Sequence, residues 1–473
     1  MQGMTRKPVS FRHGALALSC LAVALLLCVA GLGIEPQIPM AVGCASAGLI
    51  ACYLGFSWQE IVEAAVEGIS EAMEAVLILL AIGMLVGTWI ISGTVPTLVY
   101  CGLGLITPQL FLPAAFVITA LLGMVLGSWG AAGTIGVAFM GMAAALGVPA
   151  PMAAGAIIAG AYVSEIASPL ADGTNLCAAV AHVGVFDLCR RFLPLVIAAC
   201  VVCCGVYAAM GAWFADAGAG LGAEQIDQLR AALAQSFNLG PLELLPLLVT
   251  VVCIILQVPA IPVFLLAALL GVLEAVVLQG ATWGVALSAA NTGPTVGTGY
   301  QMIDDLFSTG GLAEMYPTVC IVILVMAFSG IMKKTGLIEA VARPVAARFR
   351  GMRALSAATV ASGGLFNLLL PDQYPAITMS VQMFRDSFQR RGVPAQVWAN
   401  VANSAAGITS VLVPWNTCAL YMVSVLGVPC LEYAPYALFC FAYPLLVLLR
   451  MMLLKAPLQA EEQLEASALR SSW

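Results

Sequence analysis

Charge is what this sequence has least of. Only 9% of its 473 residues are Asp, Glu, Lys or Arg, and 62% are hydrophobic, whereas a soluble domain carries roughly a quarter charged residues to cover its surface. A water-facing shell is thereby excluded. Histidine occurs twice, so a His-rich metal cluster is excluded. No grouping of Ser, His and Asp appears at membrane depth either, which argues against an intramembrane enzyme. There is no basic patch for nucleic acid, and the net charge of −6 says less than where the charges lie. The alternating polarity of barrel strands, in segments of about 10 residues, is also missing.

Present instead are apolar runs of about 20 residues, the length that spans a hydrocarbon core as a helix, recurring from Gly14 to Leu454. The fold class is all-α, a polytopic membrane protein. The fifteen cysteines fall mostly inside these runs, where a thiol packs as a small hydrophobe. The CxxC of Cys200 and Cys203 reads as packing rather than redox or metal chemistry. The first run, 14–34, follows Arg6, Lys7 and Arg12. It is too long for a signal peptide and reads as an uncleaved first helix.

Two sets of runs emerge. The first comprises 14–34, 37–55, 72–92, 111–126, 134–146, 149–166 and 192–212. The second comprises 241–257, 262–280, 314–332, 354–370, 374–388, 393–411 and 431–452. This divides the chain into a first repeat with N-terminal scaffold helices (1–212), an external connecting loop (213–240), a second repeat (241–455) and a polar cytoplasmic tail (456–473). The halves share sequence: Gly147-Val-Pro-Ala returns at Gly392 and Pro169 at Pro414, both at a shift of 245 residues, as in a duplicated unit. Basic residues do not follow that register. Lys333, Lys334, Arg343, Arg348, Arg350 and Arg353 follow Gly330, while the stretch after Gly87 has none before Arg190. Because Lys and Arg collect in cytoplasmic loops, equivalent loops are expected on opposite sides, an inverted-topology repeat with both termini in the cytoplasm.

Breaks at membrane depth mark the candidate site, because unpaired backbone survives there only where protein or water satisfies it. The stretch 168–175, Ser-Pro-Leu-Ala-Asp-Gly-Thr-Asn, places Ser168, Asp172, Thr174 and Asn175 around a helix-breaking proline. Its repeat mate, 413–417, supplies Asn416 and Thr417. Both offer the hard oxygen ligands that a small alkali cation needs, so sodium is assigned to Asp172, Asn175, Asn416 and Thr417. Two further breaks, 127–134 and 371–375, contribute Ser128, Thr134, Asp372, Gln373 and Tyr374. Asp372 is singled out as a partner of Asp172, since an intramembrane carboxylate costs several kcal/mol unless it is paired or used. Glu165 and Glu274 stay open between function and structural pairing. Glu60, Glu63, Glu67, Glu71 and Glu74 share one helical face, read as an interfacial solvated face whose last two members enter the next span.

At these residues the chain resembles the NhaC-type sodium/proton antiporters of the ion transporter superfamily. The likeness covers most of the chain and is carried by 82–90 with 92–96, by 155–175, by Ser329 to Met332 with Thr335 and Gly336, by Asp372 to Tyr374 and by 413–418. It implies a cation-coupled exchanger of the cell membrane whose transport core moves against a scaffold, often as a dimer, with sodium and protons as transported ions and no other cofactor. The family pattern has Gly-Asp-Lys where this chain has Ser164, Glu165 and Ile166, Thr where Gly173 stands, and an acidic pair where Asn403 and Ser404 stand. Ser128, Thr134, Glu165, Gln373, Tyr374, Asn403 and Ser404 are assigned to a substrate cavity. The leading expectation is sodium/proton exchange at intramembrane carboxylates. The alternative is a sodium-coupled carrier of a small organic acid or amino acid, with Asn175, Asn416 and Thr417 holding the solute.

Overall fold

The computed structural model describes residues 6–25, 36–216, 223–256, 258–297, 307–346, 352–370 and 372–453, with positions 27, 28, 32, 34 and 304. The expected tail (456–473), Pro371, Arg348 and Arg350, and residues 217–222 of the expected connector lie outside the described residues. Among the described residues every regular element is helical.

The first half runs α1 (Phe11–Leu25), α2 (Gln37–Tyr53), α3 (Trp58–Glu71), α4 (Met73–Ile91), α5 (Thr94–Leu105), α6 (Pro108–Ala131), α7 (Val137–Ala145), α8 (Ala150–Ala167), α9 (Asp172–Ala181) and α10 (Val185–Asp216). A helix of the connector, α11 (Ala223–Ser236), leads to α12 (Leu245–Ile255), α13 (Ala260–Val277) and α14 (Trp283–Thr292). Then follow α15 (Tyr316–Lys334), α16 (Leu337–Ala346), α17 (Met352–Leu369), α18 (Gln373–Gln389), α19 (Ala395–Ala406), α20 (Thr417–Leu426), the single turn α21 (Cys430–Tyr433) and α22 (Leu438–Leu453).

Among the described residues four helical stretches are long and apolar enough to cross a bilayer: 108–145, 150–181, 185–214 and 312–334. The number rises to seven if each of three bent pairs forms one span, and shorter apolar helices accompany them. The sequence did not separate α5, α14, α16 and α20 as helices, because each has 12 residues or fewer, too few for a spanning window of about 20.

Faces distinguish helices of similar composition. Every residue of α8 from Ala153 to Ala167 is buried, packed among α6, α7, α9, α10, α19 and α22. By contrast, α10 exposes Leu193, Ile197, Val201, Val202, Val206 and Trp213, the apolar face expected toward lipid. Lipid chains are as apolar as leucine, so helix association there rests on close packing of small residues rather than on water exclusion. The crossing of α3 and α15 shows this: a Cβ on Gly330 would lie 2.1 Å from the Ala64 carbonyl oxygen, and one on Gly68 2.3 Å from that of Met326. No larger residue fits that contact.

The breaks have local causes. Within α6, Gly127 adopts φ 72° and ψ 171°, a conformation open to glycine, and the helix continues through a π turn at Ala132–Gly136 into α7. Helix α8 ends at Ser168, ahead of Pro169, and the chain restarts at Asp172. In the second half, α19 gives way to a short 3-10 turn, Ser410–Leu412. Asn416 then caps α20 by accepting the Cys418 N–H at 3.1 Å, and the stretches on either side bend by 45°. Asp372 caps α18, accepting the Tyr374 N–H at 2.8 Å.

Candidate ion-binding cavity

The breaks at Gly127, Pro169 and Asp372 border one cavity of about 1170 Å³. Its walls include Ser128, Glu165, Asp172, Asn175, Asp372, Gln373 and Tyr374, all singled out in the sequence and drawn from both halves. Glu71, Glu74, Glu339 and Lys333 add to the wall, so among the described residues carboxylates outnumber basic side chains there. Lys333 is held by Glu71 at 2.7 Å. A cavity of this sign concentrates cations and repels anions.

The three central carboxylates have different surroundings. Asp172 is the first residue of α9, where the helix dipole favours a negative charge, and Tyr374 donates its hydroxyl to Oδ2 at 3.4 Å. Its neighbour Asn175 uses Nδ2 on the Pro169 and Ala171 carbonyls at 2.8 and 3.0 Å. Asp372 is buried and heavily engaged: Oδ1 caps α18, and Oδ2 accepts the Thr417 hydroxyl at 2.6 Å. Glu165 is 4% exposed. Its Oε1 accepts the Ser128 hydroxyl at 2.6 Å, while Oε2 has no hydrogen-bond partner.

The remaining expected ligands hold the backbone around the breaks. Ser168 donates to the Met124 carbonyl at 2.7 Å and Thr134 to that of Gly130 at 2.7 Å. Thr174 and Asn403 both donate to the Glu165 carbonyl, at 2.6 and 3.2 Å. Ser404 donates to the Val401 carbonyl at 2.9 Å. Of the four sodium ligands expected from the sequence, Asp172 and Asn175 line the cavity. Asn416 and Thr417 are not in its wall, and Thr417 reaches it through Asp372. Glu274 lies on α13 and is not part of the wall.

Lys333 was legible only as a marker of topology. Its pairing with Glu71, and that of Lys334 with Glu67 at 2.8 Å, depends on α3 crossing α15, which the glycine contact determines. Trp129 also enters the wall. It stacks on Tyr421 with ring centroids 4.1 Å apart, and the Tyr421 hydroxyl donates to the Trp129 carbonyl at 2.6 Å.

Comparison with known proteins gives these features a family. Residues 166–453 match the model of the Na+/H+ antiporter family. The chain is 31% identical to a malate-2H(+)/Na(+)-lactate antiporter of Bacillus subtilis, over 82% of this chain and 83% of that protein. It is 30% identical to the arginine/ornithine antiporter ArcD of Halobacterium salinarum, over 94% and 92% of the two chains. It is likewise 30% identical to the Na(+)/H(+) antiporter NhaC of Bacillus subtilis, over 90% and 94%. With these relatives and its long apolar helices, the chain is a multi-pass membrane transporter and belongs to the Na+/H+ antiporter family.

Proposed function

We infer that the protein exchanges sodium for protons at Asp172, with Asp372 as its partner across the cavity. The observation that carries this reading is the convergence of carboxylates from broken helices of both halves on one cavity wall. Each broken end leaves backbone groups and a helix dipole directed at that space. A carboxylate serves such an exchange when protonation and sodium compete for the same oxygens. Each turnover then carries sodium one way and protons the other as the cavity opens to alternate sides. The charge asymmetry between matched loops supports an inverted pair of repeats, 1–212 and 241–455, with the connector outside and both termini in the cytoplasm.

The cavity volume, far above that of a bare sodium ion, favours testing organic solutes alongside the ions. Protein reconstituted into vesicles with a sodium gradient and a pH-reporting dye is expected to move protons without any solute, with apparent sodium affinity falling as pH drops. A flat dye signal rescued by malate, lactate or arginine would replace this reading with coupled transport of that solute.

A further inference from the structure

Gly173 is the second residue of α9, and its backbone does not explain it. Its φ is not positive, so no turn demands glycine, and helix propensity does not favour it over alanine either. Space explains it instead. A Cβ at position 173 would lie 2.5 Å from Glu165 Oε2, inside contact distance, and 3.4 Å from Ile377 Cδ1. The Glu165 carboxylate therefore occupies the volume that any side chain at 173 would need.

That carboxylate is also unfinished. One oxygen accepts the Ser128 hydroxyl; the other is buried beside the Gly173 backbone N–H without a well-formed hydrogen bond to it, and the residue lines the cavity. The titratable groups that face it are Asp172 on α9, Tyr374 on α18, Tyr162 on α8 and Cys418 on α20. None is a cation, and among the described residues no basic side chain pairs with Glu165. A buried carboxylate without a cation or a proton is costly. The missing partner belongs on the cavity side, where Asp172 faces the same space.

Resting on the exchange reading above, we propose that Glu165 Oε2 is a ligand of the transported cation together with Asp172, and that Gly173 is the specificity-determining position that lets it reach the ion. A side chain at 173 forces the carboxylate to turn out of this arrangement and to give up the Ser128 bond. Gly173 acts through Glu165 and is a positioning residue.

The test is coupling between the two positions, read as the sodium dependence of radioactive sodium uptake into vesicles. Gly173→Ala should weaken apparent sodium affinity by roughly ten- to hundredfold, the usual cost of disturbing the support of an ion ligand. The variant should stay folded, with a detergent melting temperature no more than a few degrees below that of the parent, the cost of the lost Ser128 bond. Glu165→Asp, one methylene shorter, withdraws the carboxylate from the added methyl, so Glu165→Asp with Gly173→Ala should recover much of the affinity lost by Gly173→Ala alone. Normal sodium affinity in Gly173→Ala, or losses that simply add in the double variant, would overturn the proposal. Parent protein that moves no sodium at all would instead remove the exchange reading on which it rests.

Discussion

The two helices that restart after a break, α9 and α20, begin at positions one repeat shift apart, yet open with different chemistry. Asp172 starts α9 with a carboxylate facing the cavity and one long tyrosine contact. Thr417 starts α20 with a neutral hydroxyl turned onto Asp372. The second half does carry a carboxylate, but it accepts two hydrogen bonds and caps a helix. An intramembrane charge alone therefore does not separate the roles. What separates them is the acceptor capacity left after structural bonds are counted, which is large at Asp172 and Glu165 and small at Asp372.

The largest effect expected from this difference is at Asp172. Asp172→Asn removes the charge and keeps the shape. Sodium-dependent proton movement should fall to background while yield and melting temperature hold. Exchange at the parent rate would move the ion site to another wall of the cavity and dissolve the contrast.

At the other helix start the loss should appear in stability before transport. Thr417→Val keeps the volume but leaves Asp372 Oδ2 without its hydroxyl partner, which costs about 1–3 kcal/mol for a buried acceptor. Asp372→Ala removes the cap of α18 as well, a further loss of about 1 kcal/mol. Melting in detergent, followed by dye labelling of buried thiols such as Cys177 and Cys418, should show both variants unfolding earlier than Asp172→Asn. Equal melting temperatures in all three would mean that the bonds around Asp372 contribute nothing to the fold.

Much of this contrast is legible in the sequence alone. Proline, glycine and a carboxylate within one apolar stretch located the break at 168–175, and a carboxylate between two prolines that at 371–375, because few other sequences interrupt a helix at membrane depth. The relation between the breaks was not legible. That Thr417 serves Asp372 and that Thr174 and Asn403 both serve the Glu165 carbonyl depends on helices far apart in the chain meeting at set angles. Hydroxyl and amide side chains look alike in sequence whether they hold an ion or a carbonyl. The short helices α5, α14, α16 and α20 were hidden for a different reason: hydropathy is averaged over a span length they do not fill.

The smallest effect concerns the mouth of the cavity, where Lys333 and Glu71 pair at 2.7 Å with both side chains well exposed. An exposed pair of this kind contributes little to stability, because water already solvates each charge and salt screens their attraction. Lys333→Gln should therefore leave the melting temperature unchanged. Its effect is on the ions passing by, since a positive charge at the mouth opposes cation entry. In water a unit charge about 10 Å from a sodium ion is worth about 0.4 kcal/mol, close to a factor of two in affinity. Apparent sodium affinity in Lys333→Gln should thus improve by about twofold at low ionic strength. The gain should fade as choline chloride is raised toward about 0.15 M, where the screening length is near 8 Å. An improvement that survives high salt would place the lysine among the direct contacts of the ion. A loss of affinity instead would mean that Glu71, freed from its partner, no longer holds the mouth in its present form.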